Sequence, residues 1–435
     1  MRLDRAISLN LVQPFRRVRF KVQGSRFKVQ SSAPSLNPQP STINSKWRVP
    51  ILMYHCISDD PEPGVSPYYK VNTSPAVGST GPFSKKAASV RNEQSASANP
   101  NTVAVGPDVS ICIANWNTRD LLAKCLKSLQ ELTTGVTYEV IVVDNASSDG
   151  SVELLRNEFR WCIVKKSPLN LGFARASNEA WRAARGKYIL FLNPDTRLAT
   201  NALKGMADFL DRNPEFGTVG CRLLNPDGSV QFSCARSFPT PLKQLNYLSL
   251  LYRIKPKSTV FSTSDLSHWD HLSSREVECL SGACLMVRND ILQKIGAFDE
   301  RYFMYAEDVD LCFRIRQSGW KIFYLSDQII WHFAGSSSGK RKNPYFASIL
   351  PKDTEYQFLR RQRGFFCAFL YRVATGVGCL CRVALSASAM VGATFTLRAS
   401  VRGDARYAMR KYIGLFYWAV GYLKAEELIS DTENP

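Results

Sequence analysis

At 435 residues the chain has room for one core domain of about 250 residues plus appendages, because single cores stop growing near roughly 250–300 residues. Its 56 Lys plus Arg against 37 Asp plus Glu give a net +19, but the excess sits at the ends. Residues 1–30 carry eight bases and one acid, and residues 340–412 fourteen and three, around a near-neutral middle. That disfavours a nucleic-acid enzyme, which is basic around its cleft, and points to basic ends that meet a negative surface.

In chain order, residues 1–46 carry the pentapeptide RFKVQ twice, at Arg19 and Arg26, and read as a disordered basic leader. The start lacks an apolar run of signal-peptide length, which makes secretion an unexpected fate. Within residues 47–74, VPILMYHCIS (Val49–Ser58) resembles the opening strand of NodB-type polysaccharide deacetylases. None of that family's later metal-binding motifs follows, so His55 is left without partners and the fragment reads as non-functional. Residues 75–106, rich in Ser, Ala, Asn and Pro, read as a linker.

From residue 107 to 340, short apolar runs alternate with helical periodicity, the pattern of a parallel α/β sheet. Val109–Ala114 reads as a strand, and Thr118 as the cap of a helix with apolar Leu121, Leu122, Cys125, Leu126, Leu129 and Leu132. A second strand ends at Asp144, a third lies near Cys162–Lys165, a helix follows Gly172, and YILFLNPD supplies the fourth strand. In open α/β sheets ligands bind beyond the carboxyl ends of the strands, where Asn115, Asp144 and Asp195 all fall. A carboxylate there is costly in a core but useful beside a phosphate-bound divalent metal. The DNASSDG turn after the second strand is equally an ordinary βα turn with a capping Asp. With neither a P-loop nor GxGxxG after the first strand, Walker-type ATP use and dinucleotide binding lose support.

Farther on, LSGACLMVR (Leu280–Arg288) reads as a small-residue turn feeding an apolar strand. Glu307, Asp308 and Asp310 then crowd three acids into four residues. They either complement a helix dipole or, through like charge and partial burial that raise one carboxyl's pKa, supply a general base. His332 follows a strand-like run. Residues 341–435 form a basic, amphipathic helical region, in which the fifteen-residue apolar run Val383–Leu397 falls short of the roughly 20 needed to span a bilayer and reads as an interfacial helix. The twelve cysteines, scattered singly in mostly apolar runs, read as reduced core residues of a cytosolic protein.

Taken in order, ICIANWNTRDLLAKCLKSL, EVIVVDNASSDGS, NLGFARASN, YILFLNPDTRL, SGACLMVRNDILQKIGAFDERYFMYAEDVDLCFRIRQSGW and WHFAGSS resemble the family 2 glycosyltransferases of the GT-A fold, in particular the bacterial rhamnosyltransferase-like branch. The resemblance implies a Rossmann-like nucleotide-sugar-binding sheet flanked by helices. It implies donor contacts at Ala114, Asn115, Asn117, Asp144, Asp149, Asn170, Gly172, Asn178 and Asn193, acceptor-side positions at Gly282 and Arg314, and a catalytic pair Glu307 and Asp308 with Asp308 as base. The family's DxD position falls on Asn193-Pro194-Asp195, with Asn193 in place of the first acid, so a divalent cation (Mg2+ or Mn2+) would rest on Asp195, His332, the diphosphate and water. The implied reaction is inverting transfer of a sugar, such as rhamnose, from a nucleoside-diphosphate donor to a saccharide or lipid-linked acceptor in cell-surface polysaccharide synthesis. The implied location is the cytoplasmic face of the plasma membrane, as a peripheral protein. The rival reading is a catalytically inactive nucleotide-sugar-binding or scaffold protein from a fused gene.

Overall fold

The alternating apolar runs build one large sheet. The computed structural model describes residues 106–333, 346–395 and 399–425, together with Val22–Gln23 and Arg26–Phe27. Strands β1 (Val109–Asn115), β2 (Tyr138–Asn145), β3 (Ile163–Ser167) and β4 (Tyr188–Leu192) run parallel in the order β4-β1-β2-β3. Helices α1 (Arg119–Leu132), α2 (Ser151–Glu158) and α3 (Phe173–Trp181) link them. Strand residues such as Ile111, Ile113, Val142 and Phe191 are fully buried, and α1 lays Leu122, Cys125, Leu126 and Leu129 on the sheet. Leu132, at the helix end, stays exposed.

After β4 come β5 (Thr196–Leu198), α4 (Ala202–Arg212), β6 (Phe216–Leu224), β7 (Ala235–Arg236), α5 (Pro241–Leu248) and α6 (Leu251–Ile254). The body closes with β8 (Arg275–Glu276), β9 (Cys279–Leu280), β10 (Cys284–Arg288), α7 (Asn289–Ile295), α8 (Glu307–Gln317) and β11 (Lys321–His332). The sheet order is β8-β11-β6-β10-β4-β1-β2-β3, with β5 alongside β11. This half departs from the expected parallel pattern. The turn at residues 281–283 feeds β10 in from the edge where β4 ends, Cys284 facing Leu192, so β10 runs antiparallel to both β4 and β6. A separate ribbon pairs β7 with β9.

The C-terminal region is helical. Helix α9 (Phe346–Phe395) breaks at Gly364, whose φ of 85° is left-handed, and α10 (Ala399–Ala419) packs back on it. The first part of α9 docks on the sheet domain through buried Phe358, in edge contact with Phe313, and through Gln362, which donates to Asp310 Oδ1 at 2.9 Å. The second part lies on α5, where Arg382 Nε donates to the Leu248 carbonyl at 2.7 Å. Val383–Phe395, the described part of the run read as a short interfacial helix, is the last stretch of this much longer one. Among the described residues α9 is the one helix long and apolar enough to cross a membrane, a test that a core helix also passes. Every cysteine described is free, and most are buried, as expected.

Residues 1–56 form a unit apart from residues 57–435. In it the two RFKVQ copies meet in a minimal antiparallel pair, Val22 facing Phe27 and Gln23 facing Arg26. The rest of the leader, the deacetylase-like stretch with His55 and nearly all of the linker lie outside the described residues.

Candidate active site

The polar strand ends converge as their register requires. Asn115 and Asp144 are directly paired neighbours in β1 and β2, and both are fully buried. Asn115 Nδ2 donates to Asp144 Oδ1 at 3.0 Å, and the Ser147 amide donates to Oδ2 at 3.1 Å, so the buried carboxylate is held by neutral donors. Asn117 and Ala146, both at positive φ, turn the two loops beside Ala114. Thr118 does not cap α1 as expected. Its hydroxyl donates to Asn115 Oδ1 at 2.7 Å, and the cap comes from Asp149, whose Oδ2 accepts the Arg119 amide at 2.8 Å while Oδ1 accepts that of Ser151 at 3.1 Å. One carboxylate therefore serves the N-termini of both α1 and α2.

Asn145, which the sequence reading passed over, pins the next loop. Its Nδ2 donates to Asn170 Oδ1 at 2.8 Å and to the Gly172 carbonyl at 3.1 Å, and its Oδ1 accepts the Leu171 amide at 2.6 Å. Gly172 has φ +79°, and a Cβ there would meet the Phe303 carbonyl at 2.5 Å, so the position is closed to any side chain. Asn178 exchanges hydrogen bonds with the backbone of Phe298 at 2.8 and 3.0 Å. Arg314 is engaged in the same region: Nε donates to Asp310 Oδ2 at 2.7 Å, and Nη1 donates to the Ile295 and Gly296 carbonyls at 2.9 and 3.0 Å, fastening the end of α7. Asp149, Asn178 and Arg314 thus spend their polar atoms on the fold.

At the end of β4 a second cluster forms. Strand β5 pairs with the end of β11 so that His332 faces Thr196, which sets the imidazole beside Asp195. His332 Nδ1 lies 2.9 Å from Gln231 Oε1, an acceptor, so Nδ1 carries a proton and Nε2 is turned toward Asn193 and Asp195. That Nε2 lies 3.3 Å from Asp195 Oδ1, another acceptor, and 3.3 Å from Asn193 Nδ2. A neutral ring accepts from Asn193 Nδ2 at Nε2, a protonated ring donates from Nε2 to Asp195 Oδ1, and a cation in the same gap would be held by Asp195 and His332 together. Asn193 Oδ1 is buried with no hydrogen-bond partner, a second oxygen that suits such an ion. Among the described residues no three His, Cys, Asp or Glu side chains cluster, so the set is an Asn, an Asp and a His. Gln231 announced itself by no motif.

The third component is the start of α8. Tyr305 and Ala306 both sit at positive φ, 71° and 63°, an unfavourable conformation for non-glycine residues, and they swing Glu307 and Asp308 onto the first helical turn. Asp308 Oδ2 accepts the Gly282 amide at 3.0 Å and Arg236 Nη2 at 2.7 Å. Burial first, and then the neighbouring Asp308 charge, push the Glu307 carboxyl up to about 8, and its Oε2 has no partner. The turn at residues 281–283 ties this component to the second: Gly282 donates to Asp308, while the next residue's carbonyl, Ala283, accepts the Asn193 amide at 3.0 Å.

Residues 110–296 match the family described as Glycosyl transferase family 2. Over 240 residues the chain is 29% identical to the N-acetylglucosaminyl-diphospho-decaprenol L-rhamnosyltransferase of Mycobacterium tuberculosis, covering 52% of this chain and 76% of that one. It is 24% identical over 235 residues to the rhamnosyltransferase WbbL of Escherichia coli, covering 52% and 83%. A mannosyltransferase of Pyrobaculum calidifontis, solved with GDP-Man and Mn2+, superposes with a TM-score of 0.46 at 17% identity, over 74% of this chain and 89% of that one. On its strand-end motifs, its mixed α/β fold and the match across residues 110–296, the chain is a glycosyltransferase with a family 2 domain.

Proposed function

We propose that the protein performs inverting transfer of a sugar from a nucleoside diphosphate to an acceptor hydroxyl, with Asp308 as the general base. The observation that supports this best is the turn at residues 281–283, which links the Asp308 carboxylate to the Asn193–Asp195 loop through adjacent backbone hydrogen bonds. The base and the strand-end cation site are thereby fixed relative to each other, as in-line displacement at an anomeric carbon requires. Asp308 removes the acceptor proton, the acceptor oxygen bonds to the anomeric carbon, and the bond to the diphosphate breaks, with no covalent enzyme intermediate.

Asn115, Asp144 and the loops after β1 and β2 take the nucleotide, and the loop through Asn170 and Gly172 closes beside it. Asn193, Asp195 and His332 fit a divalent cation such as Mg2+ or Mn2+, because Asp195 Oδ1 and His332 Nε2 lie 3.3 Å apart and the buried Asn193 Oδ1 lacks a partner. Such an ion, when bound, stabilises the negative charge that develops on the leaving diphosphate.

The two relatives named rhamnosyltransferases support rhamnose as the transferred sugar. The decaprenol-linked diphosphate in the name of the mycobacterial one supports a lipid-linked saccharide acceptor and a role in cell-surface glycan synthesis at the cytoplasmic membrane face. The outward apolar side chains of Phe365, Phe366 and Phe369 suit peripheral contact with that membrane.

The experiment is a thermal-shift screen of the full chain against UDP-, GDP- and dTDP-sugars with Mg2+ or Mn2+, followed by assay of nucleoside diphosphate release. Saturating donor at about 100 Kd should add about 2.7 kcal/mol of stability. No shift and no release across the panel would sink the proposal.

A further inference from the structure

The Asp308 carboxylate has one partner that belongs to none of the motifs. Arg236 lies on β7, whose pairing with β9 sets Arg236 opposite Cys279 and Ala235 opposite Leu280. That register places the guanidinium beside the strand that runs into residues 281–283. Arg236 Nη2 and the Gly282 amide reach the same oxygen, Oδ2, at 2.7 and 3.0 Å. The two side chains are only 19% and 11% exposed. Oδ1 receives just the amide of the adjacent Val309, at 2.8 Å. One oxygen is therefore saturated by two outside donors, and the other keeps a lone pair. Arg236 has no second ion-pair partner among the described residues, and its Nε is buried without a hydrogen bond.

We propose that Arg236 is the positioning residue of the catalytic base: with the Gly282 amide it locks Oδ2 of Asp308, supplies its counter-charge, and leaves Oδ1 as the atom that takes the acceptor proton. This rests on the reading of Asp308 as base. In the step, the acceptor O–H bond breaks with its proton passing to Oδ1, the acceptor oxygen bonds to the anomeric carbon, and the electron pair of the breaking bond leaves with the nucleoside diphosphate. Arginine suits the task because its planar donor fork fixes a carboxylate's orientation, whereas a lysine ammonium supplies charge without that geometry. A residue that acts only through Asp308 has no effect once Asp308 cannot act.

The test uses the full chain with whichever nucleotide sugar gives the largest thermal shift, measuring kcat and donor KM for R236Q, R236K, D308N and the double variant D308N/R236Q. R236Q should lower kcat by about tenfold or more with donor KM changed by less than about twofold. R236K should recover part of that loss, and R236Q should cause no further loss in the D308N background. A rise in KM at unchanged kcat, or an equal loss in the D308N background, would overturn the proposal. Should R236Q fail to fold, R236K, which keeps the charge, carries the same comparison with D308N/R236K. Wild-type turnover in D308N would instead remove the base assignment itself, whatever Arg236 does.

Discussion

The sheet and the second part of α9 are both rich in apolar residues at regular spacing, yet they use them in opposite ways. In β4, Phe191 is 0% exposed, and polar residues appear only where the strand ends. In α9 beyond Gly364, one face carrying Ala368, Tyr371 and Cys379 is buried, while Phe365 and Phe366 on the other side are 68% and 70% exposed. Outward Phe369, Val373, Val377 and Leu380 continue that face along the helix. Periodicity reveals which residues share a face and is silent on what the face meets. The cations divide in the same way. Arg372 packs on the Tyr356 and Trp418 rings and Arg382 on the backbone of α5, whereas Arg363, Arg406 and Arg410 face outward. Trp418, in the same helical region, is buried, with its Nε1 donating to Asp353 Oδ1 at 2.9 Å.

The sharpest way to test the functional half of this contrast is Asp308→Asn. Turnover should fall by roughly 10²–10⁴ with donor binding nearly intact, as for loss of a general base. An equal loss of donor affinity, read by thermal shift, would make Asp308 a structural acid. Next in size is a paired stability measurement: Phe191→Ala should cost about 3–5 kcal/mol in denaturant unfolding, and Phe366→Ala no more than about 0.5 kcal/mol. Similar losses at the two sites would erase the distinction between the regions.

At the strand-end edge, Asp195→Ala should abolish the rise in melting temperature that Mg2+ or Mn2+ gives in the presence of a nucleoside diphosphate, and His332→Ala should weaken it. A metal response retained by Asp195→Ala would place the cation elsewhere.

Glu307 gives a pH signature. Its carboxyl is raised from 4.5 to about 8, first by burial and then by Asp308. Between those values the folded chain holds a proton that the unfolded chain has released, so this group erodes stability as pH rises from about 4.5 to about 8. Glu307→Gln should therefore match the wild type near pH 4.5 and melt higher than it at pH 8.5. Parallel melting curves at both pH values would contradict the raised carboxyl. The smallest expected effects lie on the outward helix: neutralising Arg363, Arg406 and Arg410 should weaken co-sedimentation with anionic vesicles by about 1 kcal/mol each. Equal recovery on neutral and anionic vesicles would remove the electrostatic part of the membrane contact.

How much of this could be read from the chain depends on the range of the interactions involved. Strand and helix positions, the polar strand ends at Asn115, Asp144 and Asp195, and the acidic start of α8 are set by spacing over a few residues, and these were legible in the sequence. Short apolar runs and helical periodicity likewise marked the first four strands and the helices between them. The partners of those residues were not legible. Arg236 reaches Asp308 across 72 positions, Gln231 reaches His332 across 101, and Asn178 reaches Phe298 across 120. Each pair depends on strand register and on how a later element docks, quantities that no local pattern encodes. Whether an apolar helix face ends in the core or at the surface was decided in the same way, by which neighbour arrived to cover it.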